Sequence, residues 1–422
     1  MQRRDFLNSL AASAGLMVPL GRHAWAATST AGAGTHGRKL IVIMLRGAVD
    51  GLSVVAPIAD ANYARLRPTI ALAAPGQEDG ALDLDGYFGL HPALVPLLPL
   101  WQQQKLAFVH ASGSPDATRS HFDAQDYMES ATPGVKATAD GWMNRLLQVL
   151  PGAATPTRAL SIGPLMPRIL AGRAAAINLA NGAAGTRPNV LDRPALALAF
   201  DQLYAGHARF GKAYQDGQEA HREVMDAAAG KSGGAGGMAR EMAAADGGAP
   251  LPNGFPDDAA RLATLMRNDP NIQLAFIALG GWDTHANQGA GKGQLANRLR
   301  PLGQGLAVLA QRLGPLFDQT TIVVMSEFGR TARENGNGGT DHGHGNVMCV
   351  LGGGVKGGKM LGDWRGVGDD QLNEGRDLPV TTDFRSVLAH IAERHLRLGD
   401  KQLDQVFPAM PRGTASLDLL RA

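Results

Sequence analysis

The sequence predicts an α/β fold: a doubly wound, mostly parallel sheet with helices on both faces and a helical insertion. Three observations lead there. Short continuous apolar runs rich in branched residues recur, as expected of strands covered on both sides. Helical apolar stripes lie between them. Polar residues follow the runs at once, where open α/β sheets place their ligands.

The runs come in order. They are "KLIVIML" (39–45), "KLAFVHA" (105–111), "ALSIG" (159–163), "IQLAFIAL" (272–279), "TIVVM" (321–325) and "NVMCVLGG" (346–353). Between the fourth and fifth, Leu295, Leu299, Leu302, Leu306, Leu309 and Leu313 step by four and three. Pro301 falls inside this stripe, which predicts a kink or a late start. Near the C-terminus Phe384, Val387, Leu388 and Ile391 form a second stripe, with Thr381 or Thr382 as the expected N-cap. Residues 196–227 read as a polar helix and 228–250 as a low-complexity Ala/Gly segment, together a helical insertion over 196–256. No internal repeat of fixed period is present.

The chain has 422 residues, 44% apolar and 18% charged, enough for one large domain with insertions. Residues 38–422 are read as that domain. With 40 basic and 38 acidic residues and no basic block, a nucleic-acid partner has no support. The one cysteine, Cys349, lies in an apolar run. It excludes an internal disulfide and a thiolate zinc site, so any metal must be held by His, Asp or Glu.

The N-terminus carries paired Arg3 and Arg4, then Phe6 and Leu7, a modest apolar stretch to about Leu20, and Ala24-Trp25-Ala26. Residues 1–26 therefore read as a twin-arginine export signal with cleavage after Ala26, and 27–37 as a linker. The apolar stretch is too short to span a bilayer, and no second one follows. The mature chain is expected to be periplasmic or secreted, without a stable membrane span, and to meet the twin-arginine translocase on export.

The polar residues supply the chemistry. "IVIML" hands over to Arg46 and Asp50, "LAFVHA" to "SGSPDATRSHFDAQ", "LAFIAL" to Gly280-Gly281-Trp282-Asp283-Thr284-His285, and "TIVVM" to Ser326 and Glu327. Further on, "GGTDHGHGN" places Asp341, His342 and His344 on a glycine-rich loop. Asp50, Asp283, His285, Glu327, Asp341, His342 and His344 offer only oxygen and nitrogen donors. That set suits zinc first, with manganese or iron as alternatives, and one or two ions. Asp283 and His285, two apart on an extended segment, point the same way and can share an ion. His342 and His344 repeat the spacing, and pliable glycine around them is expected to let one ring reach the metal. Each also has a plain structural role open to it. Asp50 can start a turn, Asp283 and His285 can make a capping turn, and Glu327 can pair with Arg330 or Arg46.

"TRSHFDAQDYMES" reads as a helix start with Thr118 or Ser120 as cap. A hydroxyl there faces positive potential and free amides, a suitable place for a nucleophile or a bound phosphate or sulfate. Arg119 can clamp such an anion. Either hydroxyl can equally be an ordinary N-cap. His121 can be a base, a ligand or a surface residue. "GGGVKG" (352–357) matches a dinucleotide motif in form, but no helix or Lys-Ser/Thr follows, so a turn between strands is expected.

The stretches "LRGAVDGL", "TRSHFDAQDYMES", "GGWDTH", "SEFGRT", "TDHGHGN", "GGGVKGGK" and "TTDFRSVL", in order from about residue 39 to 408, resemble a secreted bacterial family catalogued as domain of unknown function 1501. That family is similar to the alkaline phosphatase-like superfamily, which includes sulfatases. The resemblance implies an alkaline phosphatase-like fold and metal-dependent hydrolysis of a phosphate or sulfate ester, in a small molecule or a polymer. It sets Asp50 at the first-strand metal aspartate, Asp283 and His285 at the Asp and His of one site, and His344 or His342 at that site's last histidine. Glu327-Phe328-Gly329 stands where Asp-His-Gly is common, so a second ion would need Asp341 or His342. Arg119 or Arg46 would hold the anion. The alternative is a chain that keeps the fold but has lost the chemistry, a binding or assembly protein.

Overall fold

A computed structural model describes residues 37–136, 138–152, 155–182, 244–411 and 417–421. The export signal, nearly all of the linker and the polar helix of 196–227 lie outside the described residues, and the insertion over 196–256 is described only from residue 244.

Each apolar run forms a strand of one sheet. The strands are β1 (Lys39–Leu45), β2 (Leu106–Gly113), β3 (Ala159–Ile162), β4 (Ile177–Leu179), β5 (Leu274–Leu279), β6 (Thr320–Ser326), β7 (Asn346–Gly352), β8 (Lys359–Leu361) and β9 (Thr382–Asp383). Their order is β8-β2-β7-β6-β1-β5-β3-β4, with β9 also beside β2. All neighbours are parallel except β7, which is antiparallel to both β2 and β6. The architecture is thus the mixed, mostly parallel α/β sheet expected. The helices used below are α1 (His121–Ser130), α2 (Trp142–Val149), α3 (Phe255–Asn268), α4 (Gln294–Leu313), α5 (Phe384–Arg394) and α6 (Asp400–Val406).

Strand side chains alternate between faces. Ile41, Ile43 and Leu45 of β1 join a core with Phe255 and Leu262 of α3 and Leu299 and Leu306 of α4. Leu40, Val42 and Met44 join one with Trp142 and Leu146 of α2, Val387 and Ile391 of α5, and Val406 of α6. Because β1 is buried on both faces, its sequence is apolar throughout rather than alternating.

Two local expectations change. Asp383 caps α5, its carboxylate accepting from the Arg385 amide at 2.9 Å. Thr382 stands one residue before the cap and pairs with Ser112 in the sheet, and the Thr381 hydroxyl donates to the Asp363 carbonyl. Helix α4 runs through Pro301 and starts before it, after Gly293. The glycines of 352–357 do form a turn, leading from β7 to β8.

Strands β1, β2, β5 and β6 point the same way, so their C-terminal ends share one edge. β7 begins at that edge, Asn346 lying beside Ser112 of β2. The residues after four strands, and the loop before a fifth, therefore meet.

Candidate metal centre

Asp283 is the hub. It follows β5 by four residues, and the fully buried Trp282 anchors the connection through Nε1 to the Leu279 carbonyl at 2.8 Å. Asp283 Oδ1 lies 3.1 Å from His285 Nε2 and 3.4 Å from His342 Nε2, and Oδ2 lies 3.7 Å from His121 Nε2. His342 Nε2 is 3.0 Å from both His121 Nε2 and His285 Nε2. Ligand atoms around a tetrahedral zinc ion lie about 3.3 Å apart, given zinc–nitrogen bonds near 2.0 Å. The observed separations bracket that figure. His121, Asp283 and His342 offer ligand atoms all within 4.8 Å of one another, and His285 stands at the rim of this group.

The far side of each ring explains its orientation. His121 Nδ1 donates to Glu327 Oε1 at 2.8 Å, His342 Nδ1 to the Arg119 carbonyl at 3.0 Å, and His285 Nδ1 to Asp341 Oδ1 at 3.3 Å. With Nδ1 protonated and held, each neutral ring turns the lone pair of Nε2 inward, the usual outer support of a metal-binding histidine. Three inward lone pairs repel unless protons or a cation lie between them. Among the described residues the buried Asp283 Oδ2 has no hydrogen-bond partner, an orphan that a cation would satisfy. Three imidazoles and a carboxylate thus fit a zinc, manganese or iron ion.

Electrostatics agree. Burial opposes charge on Asp283, but the nearby rings of His121, His285 and His342 and the Arg330 guanidinium hold its carboxyl far below the usual range. Burial likewise opposes charge on His121, but the carboxylates of Asp283 and Glu327 outweigh it and push the ring up to about 9. His285 is raised by Asp283, whereas burial lowers His342.

The remaining expected residues are placed as follows. Glu327 is fully buried behind His121, not among the inward donors. Its Oε1 accepts from the Gly47 amide, His121 Nδ1 and Gln125 Nε2, and its Oε2 from the Ser326 hydroxyl. It pairs with neither Arg330 nor Arg46. Asp50 is held by Arg67 in a buried two-pronged ion pair (2.6 and 3.0 Å), and also accepts from Ser53 and Gln288. The guanidinium takes the carboxylate that was expected to bind a metal, so Asp50 is not among the donors. Asp341 is half-exposed and orients His285. His344 is outside the cluster: its Nδ1 donates to Asp377 Oδ2 at 2.6 Å and its Nε2 to the Ala117 carbonyl at 3.2 Å. Arg46 is engaged by Glu129 and the Gly247 carbonyl. Among the described residues the Arg119 guanidinium makes only long ion pairs, 3.6 Å to Glu374 and 3.8 Å to Asp377.

Ser120 is the N-cap residue of α1, exposed, and its hydroxyl makes no capping bond. The Thr118 hydroxyl instead accepts from the Ser120 amide at 3.2 Å. The free Ser120 hydroxyl therefore sits one residue from the ligand candidate His121, at the positive end of a helix.

The glycines act by close approach rather than by pliancy. Gly47 has φ 112°, and a Cβ there would lie 2.8 Å from the Asp283 amide nitrogen. A Cβ on Gly343 would lie 2.7 Å from the Arg330 carbonyl oxygen. The loop is pinned to its neighbour, Gly343 N donating to Gly329 O and Gly329 N to His344 O, both at 2.8 Å.

Several partners carried no sequence signal for their role. Arg330 is fully buried and donates to Asp283 and to the Ala48, Gly47 and Thr340 carbonyls. Arg67 and Gln125 were equally silent. Phe328 walls the centre, its ring 4.9 Å from that of His121 and 5.0 Å from that of His342.

No curated protein sequence matches the chain. Among solved structures it overlaps the C-terminal periplasmic domain of EcEptC from Escherichia coli in complex with Zn, at 10% identity and a TM-score of 0.35, over 76% of this chain and 74% of that one. The lipoteichoic acid synthase LtaP from Listeria monocytogenes overlaps at 9% identity and 0.35, over 86% and 73%. Ps i-CgsB overlaps at 11% identity and 0.35, over 87% and 74%. These TM-scores are too low to transfer chemistry. The sequence itself is decisive: residues 101–407 match the family described as "Protein of unknown function (DUF1501)", and the chain belongs to that family.

Proposed function

We propose that the chain is an exported hydrolase of phosphate or sulfate esters that works with one divalent metal ion, zinc first. The observation that carries this reading is the convergence of the Nε2 atoms of His121, His285 and His342 on Asp283, whose Oδ2 is otherwise unpartnered. His121, Asp283 and His342 would hold the ion, with His285 completing the set. Bound there, it supplies Lewis-acid polarisation of the ester oxygen and lowers the pKa of a neighbouring hydroxyl or water. Among the described residues, the carboxylates expected to serve a second ion are engaged elsewhere: Asp50 by Arg67, Glu327 behind His121, and Asp341 by His285 and Asn335.

The chain's own groups do the rest. Ser120 offers an unspent hydroxyl at the start of α1, where first-turn amides and the helix dipole favour an anion. Arg119, with only long ion pairs to satisfy it, is the better placed of the two arginines to bind the non-bridging ester oxygens. Arg330 fixes Asp283, and Glu327 fixes the His121 ring. The substrate class is an anionic ester, free or in a polymer. Export rests on the twin-arginine segment, and no helix among the described residues is long and apolar enough to cross a membrane.

A second reading, a metal-binding protein without turnover, is favoured by Phe328, which puts an apolar wall where the resembled superfamily often has a ligand. Elemental analysis and turnover of aryl phosphate and aryl sulfate by the purified mature chain separate the readings. One equivalent of transition metal with turnover, both lost in His121→Ala, is expected. Metal without turnover leaves the binding reading, and absence of tightly bound metal after zinc reconstitution overturns both.

A further inference from the structure

His344 lies outside the metal cluster, yet it shares its loop with a member of it. His342 Nδ1 reaches the Arg119 carbonyl at 3.0 Å, and His344 Nε2 reaches the Ala117 carbonyl at 3.2 Å. Two residues apart on one loop, the rings meet carbonyls two residues apart on the other. The two contacts form a ladder with two rungs, running antiparallel. We propose that His344 is a positioning residue that, as the second rung of this clamp, holds the segment Ala117–Ser120 against the metal centre. The proposal rests on the hydrolase reading for its catalytic consequence and deepens it.

The two loops differ in how they are held. The histidine loop is fixed to the core by backbone bonds: Thr331 N to Asp341 O, Gly343 N to Gly329 O, Gly329 N to His344 O and Gly345 N to Leu378 O. The 114–120 segment has no such ties among the described residues. Its order comes from short side-chain turns, Asp116 N to the Ser114 hydroxyl, Thr118 N to Asp116 Oδ1 and Ser120 N to the Thr118 hydroxyl. Such turns fix local shape but not position relative to the sheet. The Arg119 and Ala117 carbonyls provide the tether, and both are met by histidine. Asp377, fully buried, holds His344 from behind through Nδ1 at 2.6 Å and also faces Arg119 at 3.8 Å. The clamp thus sets where the Ser120 hydroxyl and the Arg119 guanidinium stand. A shift of about 1 Å at a reacting group can cost on the order of a hundredfold in rate.

The test uses His344→Asn and His344→Gln in the full mature chain, with zinc as the probe metal. Three quantities are read: zinc affinity by chelator competition, kcat and KM on aryl phosphate or sulfate, and amide hydrogen exchange of the peptide spanning 114–122. Zinc affinity within about twofold of wild type is expected, with kcat lowered ~10- to 100-fold, KM little changed, and exchange in that peptide faster by roughly tenfold. Gln, with its longer reach to the Ala117 carbonyl, should recover part of the loss. Unchanged exchange overturns the clamp. Loss of zinc binding also overturns it, since His344 would then act as a ligand, and so does faster exchange with an undiminished kcat. A wild-type chain that binds zinc but turns over neither ester fails the hydrolase reading separately, and exchange alone then decides the clamp.

Discussion

Replacing Glu327 by Gln separates its role behind His121 from that of a ligand. The carboxylate is fully buried and accepts four hydrogen bonds, from Gly47, His121, Gln125 and Ser326. Gln is close to isosteric. Its amide oxygen can take the place of Oε1 and keep the bond to His121 Nδ1. Its NH2 can face the Ser326 hydroxyl, which then accepts. What disappears is the negative charge that raises the basicity of the ring. Loss of such an outer partner typically costs 10- to 100-fold in metal affinity. At about 1.4 kcal/mol per decade, that is ~1.4–2.7 kcal/mol. The assay is zinc competition against a chromophoric chelator at pH 7.5, with circular dichroism to confirm folding. An affinity unchanged within threefold would refute the argument that Glu327 tunes His121. Complete loss would show instead that its oxygen binds the ion directly.

Further outcomes follow from other groups. Removing a cluster member, by His342→Ala or Asp283→Ala, should weaken zinc binding by more than the ~100-fold ceiling expected of an outer partner, with His285→Ala milder because that ring stands at the rim. Asp50→Asn should leave zinc affinity unchanged but strip Arg67 of its buried partner, lowering stability by about 3–5 kcal/mol in chemical denaturation; lost zinc binding in a folded variant would restore Asp50 as a ligand. Ser120→Ala should lower turnover at least ~100-fold with zinc retained, and near-normal turnover would point to attack by water instead. Burial pushes His91, His110 and His395 down to about 4, so the folded chain binds fewer protons than the unfolded one between that value and 6.5. The stability these three rings contribute is therefore complete above about pH 6.5 and falls toward pH 4, by up to ~3 kcal/mol for each ring; a melting temperature that stays flat between about pH 6.5 and 4 would contradict their neutral burial.

How far the sequence foretold the structure depends on whether a feature is encoded locally. Strand β1 matches its apolar run residue for residue, because a strand buried on both faces must be apolar at every position. The same property hid the direction of β7, since a fully buried strand reads alike either way round. Its connection held the answer. Residues 327–345 are rich in glycine, show no helical period and contain no helix, and a parallel return to the neighbouring strand needs a crossover, usually helical. Asp283 and His285 were legible as a pair for a local reason as well: at a spacing of two on extended backbone their side chains point one way, and they meet at 3.1 Å. Asp50 was not legible, because its fate is decided by Arg67, which no spacing links to it.

The two histidines of "GGTDHGHGN" mark the boundary between what is local and what is not. Both rings sit on one pinned loop, flanked by glycine, and sequence offers nothing to rank them. What divides them is the partner on the second nitrogen. His342 spends Nδ1 on the Arg119 carbonyl and turns Nε2 to the centre, whereas His344 has Asp377 and the Asn373 amide against Nδ1 and the Ala117 carbonyl against Nε2. A ring with both nitrogens engaged by neighbours turns no lone pair toward the centre and is not placed to ligate there. The choice between ligand and clamp therefore lies in Asp377, which is 33 residues beyond His344. Asp377→Asn should then test it: an amide that donates to Nδ1 leaves the proton on Nε2 and the rung to the Ala117 carbonyl in place, so the clamp persists and zinc affinity at the Asp283 centre stays within a few fold. If instead zinc binding collapsed in this variant, His344 and Asp377 would belong to the centre after all.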